Sequence, residues 1–425
     1  MALFPKIRIF PHTGAIVRNR QKNHSETTLF SEVYCPRMSG RYFCMKKAMK
    51  RETRLALCAL NNIFGYHPSL AFELMEKAGS AEALFNGPLP ECGHPELADR
   101  LNETSLTWAE KELERVHRQG FKFIPYGDED YPPALADIDD PPLGIYLNGS
   151  SAPAEIFSLR PMVAVVGTRD ISPYGNLWCR RIVHAMAEAA IQPCIVSGLA
   201  YGADGIAHRT ALECGLTTIG VMATGIDKIY PWQHTELASQ IVGTPGCGLV
   251  TDYPTGTAPV ALNFVRRNRI IAALASATVV IESKKKGGSL MTAKYAVDYN
   301  KDVFAVPGRL DDVRSAGCIS LIGSHMAEIV TSPEELTEAL GLKPRTSNSS
   351  DRRSAFYTRL ARKYGVNSAP LAVGMAVFDR PGAGYEELSS DTKLPYVRVL
   401  ETVGVLEVDG LIVTDILQRC TVNDR

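Results

Sequence analysis

Residues 161–205 read PMVAVVGTRDISPYGNLWCRRIVHAMAEAAIQPCIVSGLAYGADG, and this stretch decides the fold. A short β-branched run at 162–166 is followed by a glycine loop, an amphipathic helical pattern and a second run at 194–196. Four more runs of this kind follow at residues 217–222, 248–251, 278–281 and 303–306. Because helical patterns fill most of the gaps, this rhythm predicts an α/β domain over residues 161–340, with a Rossmann-like, doubly wound, largely parallel sheet.

Shorter segments flank this domain on both sides. Residues 51–120 show helical periodicity punctuated by glycines, which predicts a small helical domain of the helix-hairpin or SAM-like type. Residues 121–160 are rich in proline and aromatic residues and predict an ordered connector rather than a regular helix. The Ser-, Asn- and Arg-rich residues 341–368 predict a linker. In residues 369–425, two helical patterns followed by apolar runs around an Asp-Gly turn predict a winged-helix-like module.

The first 50 residues are strongly basic. They contain ten Lys and Arg against two acidic residues, Glu26 and Glu32, and they show no clear hydrophobic period. Two interpretations stay open: a disordered basic arm that touches nucleic acid, or a start codon assigned too early, with Met45 or Met49 as the true start. The helical pattern that begins directly after Met49 favours the second.

The overall composition is that of an ordinary soluble globular protein, with 425 residues of which 45% are hydrophobic and 22% charged. The longest apolar run is too short to cross a bilayer and no secretory pattern is present, so we expect a cytoplasmic protein without a membrane segment. Ten cysteines without a C-x-x-C pair favour reduced thiols over disulfides or zinc. Because 46 basic residues balance 46 acidic ones, binding of nucleic acid would require locally concentrated positive charge.

Glycine-rich loops follow the first two predicted strands. Arg169 stands in the loop after the first strand, and Ser197 and Gly198 open the loop after the second. Ligands of parallel sheets bind outside the carboxyl ends of the strands, where backbone N–H groups meet an anion. Arg169 would add a charged, bidentate donor there. Each loop alone is equally compatible with a tight structural turn, and both interpretations stay open.

A third loop, KKKGGS, follows the run at 278–281 and precedes an apolar helical pattern. Its lysines, together with Gly287, Gly288 and Ser289, have the chemistry of a phosphate-binding loop. The spacing of a Walker motif is missing, so hydrolysis of a nucleoside triphosphate is not predicted. A solvated lysine turn is the alternative to an anion site.

A cluster of cations precedes another apolar helical pattern. Its members are Arg266, Arg267, Asn268 and Arg269. We expect the three arginines to lie in the first turn of that helix, where each exposed positive charge opposes the helix dipole at a cost of roughly 0.3–1 kcal/mol. A bound polyanion would reverse the sign of this effect, whereas ordinary surface salt bridges are the alternative. Phe264 is either a core residue or a stacking surface for an unpaired base.

The sequence offers no convincing catalytic or metal site. Asp204 and His208 have the i,i+4 spacing of helical metal ligands, but no second pair follows, so a helix cap at Asp204 is favoured. Lys228 is the obvious phosphate donor of the segment after the third strand. The G-x-G-x-x-G pattern of nicotinamide-binding folds does not follow the first strand. We therefore expect no cofactor, no metal and no enzymatic activity.

Several separated motifs together resemble one known family. They are VVGTR with S-x-YG, SGLAYGAD, GID with YP, NFVRRNRIIAAL, GGSLMTAKYA and VFAVPG, in this order over residues 163–322. This pattern resembles the DNA-processing protein A family (DprA, also called Smf). The resemblance implies an extended Rossmann fold between a small helical domain and a winged helix, and it implies homodimerisation. It also implies binding of single-stranded DNA and loading of the RecA recombinase onto incoming DNA during natural transformation of competent cells.

The resemblance further implies a set of DNA-binding residues. Carried over position by position, they are Arg169, Ser197, Gly198, Lys228, Phe264, Arg266, Arg267, Asn268, Arg269, Gly287, Gly288 and Ser289. The sequence departs from the family pattern at Tyr201, where many members have arginine, so that an aromatic surface replaces a phosphate donor. A second departure, Cys318-Ile319-Ser320 in place of Gly-x-Asn, leaves the role of that loop open.

The leading hypothesis is a DNA-binding protein that breaks no bond. Its partners would be single-stranded DNA, the RecA recombinase and a second copy of the chain. The alternative is a Rossmann-like enzyme that hydrolyses a nucleotide, although the Pro-Gly-Gly-x-Gly-Thr loop of such enzymes is missing here. Turnover of a nucleotide library would support the alternative, and retarded migration of poly-dT without turnover would support the leading hypothesis.

Overall fold

The computed structural model describes residues 49–87, 94–157, 160–343, 349–415 and 418–423. The basic segment 1–48 lies outside the described residues, and so does the part of the expected linker at 344–348. The two interpretations of the N-terminal extension therefore concern a segment that is not described.

The elements follow the predicted rhythm closely in the centre of the chain. Helices α1 to α18 cover Arg51–Phe64, Pro68–Ala78, Ala83–Asn86, Pro95–Ala98, Glu103–Arg118, Pro133–Ala136, Pro153–Ile156, Pro173–Ala187, Ala203–Glu213, Thr235–Gly243, Ala261–Leu274, Ser289–Asp298, Ala316–Gly323, Pro333–Ala339, Ser349–Tyr364, Ala369–Asp379, Tyr385–Thr392 and Tyr396–Val408. Strands β1 to β12 cover Lys122–Pro125, Gly144–Asn148, Met162–Val166, Cys194–Ser197, Thr218–Val221, Gly248–Thr251, Ala277–Val280, Asp302–Ala305, Glu328–Ile329, Ala383–Gly384, Ile412–Thr414 and Arg419–Val422. The six predicted strands are β3 to β8, each within one residue at either end.

Nine strands of the described chain form one sheet, in the order β1-β2-β6-β5-β4-β3-β7-β8-β9. The seven neighbouring strands β6-β5-β4-β3-β7-β8-β9 pair in parallel. Strand β2 runs antiparallel to both β1 and β6. The register places Ala164 of β3 between Val196 of β4 and Thr278 of β7. The fold class is therefore the predicted one, an α/β protein with a large, mostly parallel sheet.

Both faces of the sheet are covered by helices, because successive residues of each strand point to opposite sides. Val163 and Val165 pack with α8, α9 and α14 on one face, and Ala164 and Val166 pack with α11, α12 and α13 on the other. Strands buried on both faces read as continuous apolar runs, which is why the sequence reveals them so clearly. At the β1–β2 end, helices α1, α5 and α10 pack around Tyr146.

Residues 121–160 are more than the connector that was expected. They contribute strands β1 and β2 to the large sheet and also form the short helices α6 and α7. Pro125 stands at the end of β1 and has no backbone N–H to donate. This is tolerated because β1 is an edge strand, so no neighbouring strand on its outer side needs that hydrogen bond. The sheet thus begins at residue 122, well before the predicted domain boundary at 161.

The C-terminal residues form a separate small sheet with helices around it. Strands β10, β12 and β11 pair antiparallel in that order, and α16, α17 and α18 pack together around residues such as Leu388 and Val399. Helices and short strands alternate here in the predicted order, and the assignment as a winged-helix-like module stays a prediction. The linker prediction was too long, because α15 occupies residues 349–364 and packs through Phe356 and Leu360 on this module.

None of the helices in the described part of the chain is both long enough and apolar enough to span a bilayer.

Candidate nucleic-acid interface

A cavity of about 640 Å³ opens at the carboxyl edge of the sheet, beside β3 and β7. The chain adds β4, β5 and β6 on one side of β3 and then crosses to the other side for β7, so the loops after β3 and β7 diverge at this point. Such a switch point is where open parallel sheets bind ligands. The lining residues are Val166, Gly167, Thr168, Arg169, Asp170, Ala200, Asp204, Tyr230, Pro259, Ala261, Phe264, Val265, Arg267, Asn268, Ile271, Lys284, Lys286, Gly287, Gly288, Ser289 and Thr292.

The structure brings seven of the twelve predicted site residues to this cavity. They are Arg169, Phe264, Arg267, Asn268, Gly287, Gly288 and Ser289. The other five lie elsewhere and have contacts of their own. They are Ser197, Gly198, Lys228, Arg266 and Arg269.

An exposed arginine and two aromatic rings form one wall. The Arg169 guanidinium lies 4.9 Å from the centre of the Phe264 ring, in cation–π geometry. Tyr230 meets the same ring edge-on, with the ring centres 5.4 Å apart. No described carboxylate pairs with Arg169, so its charge is available to an anion. Phe264 is half-buried, so part of the residue is open to solvent in the cavity.

The loop that carries Arg169 is fixed at both ends. Thr168 donates its N–H to the Glu282 carbonyl at 2.8 Å, and Ala203 donates to the Thr168 carbonyl at 3.2 Å. The buried Glu282 carboxylate accepts from both the backbone N–H and the hydroxyl of Ser172, which in turn caps helix α8 through Gly175. The end of β7 therefore holds the β3–α8 loop in one conformation.

The lysine loop forms the opposite rim. Lys284, Lys285 and Lys286 are exposed, and a tight turn joins the Gly287 N–H to the Lys284 carbonyl at 2.8 Å. A Cβ on Gly287 would lie 2.3 Å from the Ser283 hydroxyl oxygen, so only glycine fits this turn. Lys284 pairs with Asp170 at 3.3 Å, but both side chains are more than half exposed, so the pair contributes little.

The N-termini of two helices face the cavity, although not in the way the sequence predicted. Helix α11 begins at Ala261, and neither its N-cap residue Val260 nor the N-cap Gly288 of α12 caps its helix through a side chain. The expectation that the arginine cluster forms the first turn is wrong, because that cluster lies in the middle of α11. The positive end of the helix dipole still meets the cavity, at Pro259 and Ala261.

Arg267 lies beneath the cavity as a fixed internal charge. Its side chain is 3% exposed and donates to the carbonyls of Gly198 and Val221. A Cβ on Gly198 would lie 2.6 Å from an Arg267 nitrogen and 2.5 Å from the Asp204 carboxylate, so glycine is required there. Burial lowers the pKa of Arg267 to about 10, which leaves it charged at neutral pH. Burial also raises the pKa of Asp204, against the opposing effect of the Arg267 charge.

Arg269 and Arg266 belong to the packing of the fold rather than to the cavity. Arg269 is 2% exposed and pairs with the buried Asp252 at 2.8 Å and with Asp140 at 3.6 Å. The expected phosphate contact is corrected here, because those two carboxylates already enclose the guanidinium. Arg266 stacks over Tyr66 at 4.8 Å and donates to the Gly65 carbonyl, and so joins α11 to the N-terminal helices.

Ser197 and Lys228 are also engaged by the protein itself. The Ser197 hydroxyl is fully buried and donates to the Val165 carbonyl, which joins β4 to β3. Lys228 donates to the Gly256 carbonyl at 2.8 Å and so holds the loop after β6. Neither residue lines the cavity.

The Asp204–His208 pair has a structural role. His208 is fully buried beside Thr218, and because the Thr218 hydroxyl donates to Ile195, the His208 Nδ1–H donates to that hydroxyl at 2.7 Å. Burial lowers the pKa of His208 to about 3, so the ring is neutral at neutral pH. Asp204 accepts weakly from the Ala200 N–H at 3.4 Å. Within the described ranges, no three His, Cys, Asp or Glu side chains converge as a metal site.

Several lining residues are not among the twelve predicted from the sequence. Lys284 and Lys286 belong to the KKKGGS loop that the sequence already indicated as a candidate phosphate-binding loop, although they were not among the twelve predicted residues. Tyr230 gave no such signal, because the switch point brings it to Phe264 from a loop that follows a different strand.

The chain is similar in sequence and in fold to several known proteins. Residues 122–341 match the family described as DNA recombination-mediator protein A. The chain is 37% identical to Protein Smf of Synechocystis sp. over 64% of this chain and 67% of that protein. It is 31% identical to the DNA processing protein DprA of Bacillus subtilis over 67% of this chain and 94% of that protein. The X-ray structure of DprA from Streptococcus pneumoniae superposes with a TM-score of 0.54 and 28% identity, covering 69% of this chain and 98% of that one.

Proposed function

This chain belongs to the DNA recombination-mediator protein A family, and from that premise we propose that it binds single-stranded DNA in the cavity at the switch point. One observation carries the proposal. Unpaired cations, two helix N-termini and a partly open aromatic ring converge on one cavity, and phosphates and unpaired bases are the partners that suit such a set.

The phosphate contacts would come from two sides. Arg169 offers a bidentate fork from the β3 loop, and Lys286 offers a mobile ammonium from the opposite rim. Between them lie the N-termini of α11 and α12, which have no side-chain cap and whose helix dipoles are positive at this end. Arg267 adds a permanent positive charge from below without leaving its internal hydrogen bonds.

The base contact would come from Phe264. Its ring is held between Arg169 and Tyr230, so it is already oriented before a ligand arrives. A base inside a duplex is stacked on its neighbours and cannot present its face to this ring, so single strands are favoured over duplexes. Since the wall offers rings and phosphate donors, we expect little preference among base sequences.

The experiment is a titration of labelled poly-dT and a matched duplex with the purified protein at several salt concentrations. Lys286→Ala should weaken binding and reduce the log–log salt slope by roughly 0.7, the value for one phosphate of a single strand. Phe264→Ala should weaken binding by about 1–3 kcal/mol because it removes the stacking surface, with the slope unchanged. The control is Lys111→Ala, which removes an exposed lysine of α5 outside the cavity.

The proposal fails if the wild-type protein retards duplex and single strand equally. It also fails if Lys286→Ala and Phe264→Ala both bind poly-dT as Lys111→Ala does. The first result would remove the preference for single strands, and the second would remove the cavity as the binding site.

We propose binding without bond cleavage. The carboxylates on the cavity lining are Asp170, which pairs with Lys284 and Arg314, and Asp204, whose pKa is raised by burial beside Arg267. Asp170 lies between these two cations at the exposed rim, and Asp204 is buried below it. Release of base, phosphate or nucleoside from a nucleotide library would overturn this part and favour a hydrolase.

The finer part of the proposal is delivery of the strand to the RecA recombinase, by a cytoplasmic homodimer acting in natural transformation. Its support is the family membership together with an open-rimmed cavity from which a strand can be released. The test is the rate at which a RecA recombinase forms filaments on poly-dT with and without this protein, alongside sedimentation of the protein alone. An unchanged rate of filament formation would contradict the proposed delivery to the recombinase and would leave the proposed strand binding unaffected.

A further inference from the structure

A second cavity, of about 510 Å³, lies beside the first and shares Arg169 and Asp170 with it. Its other lining residues are Ile171, Tyr201, Gly202, Ile206, Arg209, Gln233 and His234. None of these seven belongs to the predicted binding set. The segment after β5 borders both cavities, because Tyr230 lines the first and His234 the second, and Trp232 between them is 74% exposed.

An oriented aromatic ring forms one wall of the second cavity. Tyr201 is 39% exposed, and its hydroxyl is hydrogen-bonded to the Gln233 side chain. The ring meets His234 edge-on at 5.3 Å between centres. His234 is itself fixed, because its Nδ1–H donates to the Leu199 carbonyl at 2.9 Å. The ring therefore presents a held face, as a stacking platform requires.

The charge of this cavity suits an anion. Arg209 is half-buried, and no described carboxylate pairs with it or with Arg169. Gly205 leaves the space for the Arg209 guanidinium, since a Cβ there would lie 3.1 Å from it. Asp170, the acidic residue of the lining, is already paired with Lys284 and Arg314. Two unpaired guanidinium groups are thus left for a ligand.

We propose that the second cavity holds the neighbouring nucleotide of the same DNA strand, with its base on Tyr201 and its phosphate between Arg169 and Arg209. This inference rests on the proposed function, because it extends the strand from the first cavity across Arg169. A ligand that combines a flat ring with a phosphate matches the combination of a held aromatic face and two free guanidinium groups.

The experiment compares oligo-dT of increasing length, titrated with the wild-type protein, Tyr201→Ala and Arg209→Ala. The shortest oligomers fill the first cavity alone, and the variants should bind them as the wild-type protein does. Longer oligomers should bind the wild-type protein about tenfold more tightly than either variant, as expected when one stacking or phosphate interaction is removed. Arg209→Ala should also reduce the salt slope by roughly 0.7, and Tyr201→Ala should leave it unchanged.

Tyr201→Phe and Arg209→Lys are the matched controls. The first keeps the ring and should retain the length-dependent gain, whereas the second keeps the charge and should retain the salt slope. Thermal melting of each variant checks that folding is preserved. A fluorescent base analogue can be placed at successive positions of the oligomer. With the wild-type protein it should be quenched at one more position than with Tyr201→Ala.

The outcomes separate this inference from the proposed function. If the wild-type protein binds oligo-dT and both alanine variants match it at every length, the second cavity is not a nucleotide site and the first remains one. If Phe264→Ala weakens all lengths and Tyr201→Ala weakens the long ones alone, both assignments hold. If the wild-type protein binds no single strand of any length, both fall together.

Discussion

Arg266, Arg267 and Arg269 stand almost side by side in the sequence, yet the structure gives them three different surroundings. Neighbouring residues of a helix point about 100° apart, so a local cluster of cations does not share one partner. Arg266 meets the N-terminal helices, Arg267 supports the cavity from below, and Arg269 is enclosed by carboxylates. Those carboxylates lie outside helix α11, 17 and 129 residues away along the chain, which is why the sequence could place the cluster near the site but could not separate its members.

We expect Arg269→Ala to destabilise the protein by about 3–5 kcal/mol, because it leaves the buried carboxylate of Asp252 without its partner. The free energy of unfolding in urea measures this effect. Lys286→Ala, which removes an exposed cation of the cavity rim, is the control and should change the stability by less than about 0.5 kcal/mol. If the Arg269→Ala protein has normal stability but binds DNA more weakly, Arg269 is a DNA contact and not a structural residue.

The loop between β7 and α12 shows how one element depends on a single glycine. Gly287 and Gly288 are neighbours, but a Cβ on Gly287 would collide with Ser283, whereas a Cβ on Gly288 would have no heavy atom within 4 Å. Gly288 has φ −64°, a conformation that alanine adopts without strain. The two positions therefore differ in how well they tolerate a substitution by alanine, although they look alike in the sequence.

We expect Gly287→Ala to lower the free energy of unfolding by about 1–3 kcal/mol, since the turn must open to admit the methyl group. Gly288→Ala should be neutral or slightly stabilising, because it reduces the freedom of the unfolded chain. Urea unfolding of the two variants, measured side by side, checks the pair. Equal stabilities would mean that the turn adapts freely and that its shape is not fixed by Gly287.

At the level of elements, buried strands were predictable and the limits of helix α11 were not. Strands β3 to β8 carry continuous apolar runs, which mark their positions clearly. Helix α11 begins at Ala261, after Val260, which makes no side-chain cap, so the usual signal of a helix start is missing. Strand β1 was missed because Pro125 argues against a central strand and says nothing against an edge strand.

On the scale of the whole molecule, the residues that line the first cavity and those that line the second all fall between Val166 and Thr292. The C-terminal module has an apolar core of its own, which includes Leu360, Val399 and Leu406. Its helices and small sheet therefore need not be present for the cavities to form.

We expect a protein lacking residues 349–425 to unfold cooperatively and to bind poly-dT within about threefold of the full chain, a difference well below 1 kcal/mol. Fluorescence anisotropy and thermal melting measure the two properties. A decrease in affinity of tenfold or more, in a protein that still melts cooperatively, would make the C-terminal module a primary DNA contact.

The sequence predicted a doubly wound, largely parallel sheet, and it placed the candidate site residues at the carboxyl edge where the first cavity opens, because both follow from general rules of parallel sheets. It did not predict the second cavity. Tyr201 and Arg209 come from the β4–α9 segment and His234 from the segment after β5, and their meeting depends on packing that no local pattern records.

The two hydrogen bonds that Ser172 donates to the Glu282 carboxylate have a kinetic consequence. Because hydrogen bonds from the end of β7 already hold the Arg169 loop, a strand that binds as proposed would not need to order that loop. Encounter rates should then be set by diffusion and electrostatic steering, so that differences in affinity among oligomers appear chiefly in how long each one stays bound. If the chain binds DNA as proposed, residence time rather than capture would then distinguish one oligomer from another.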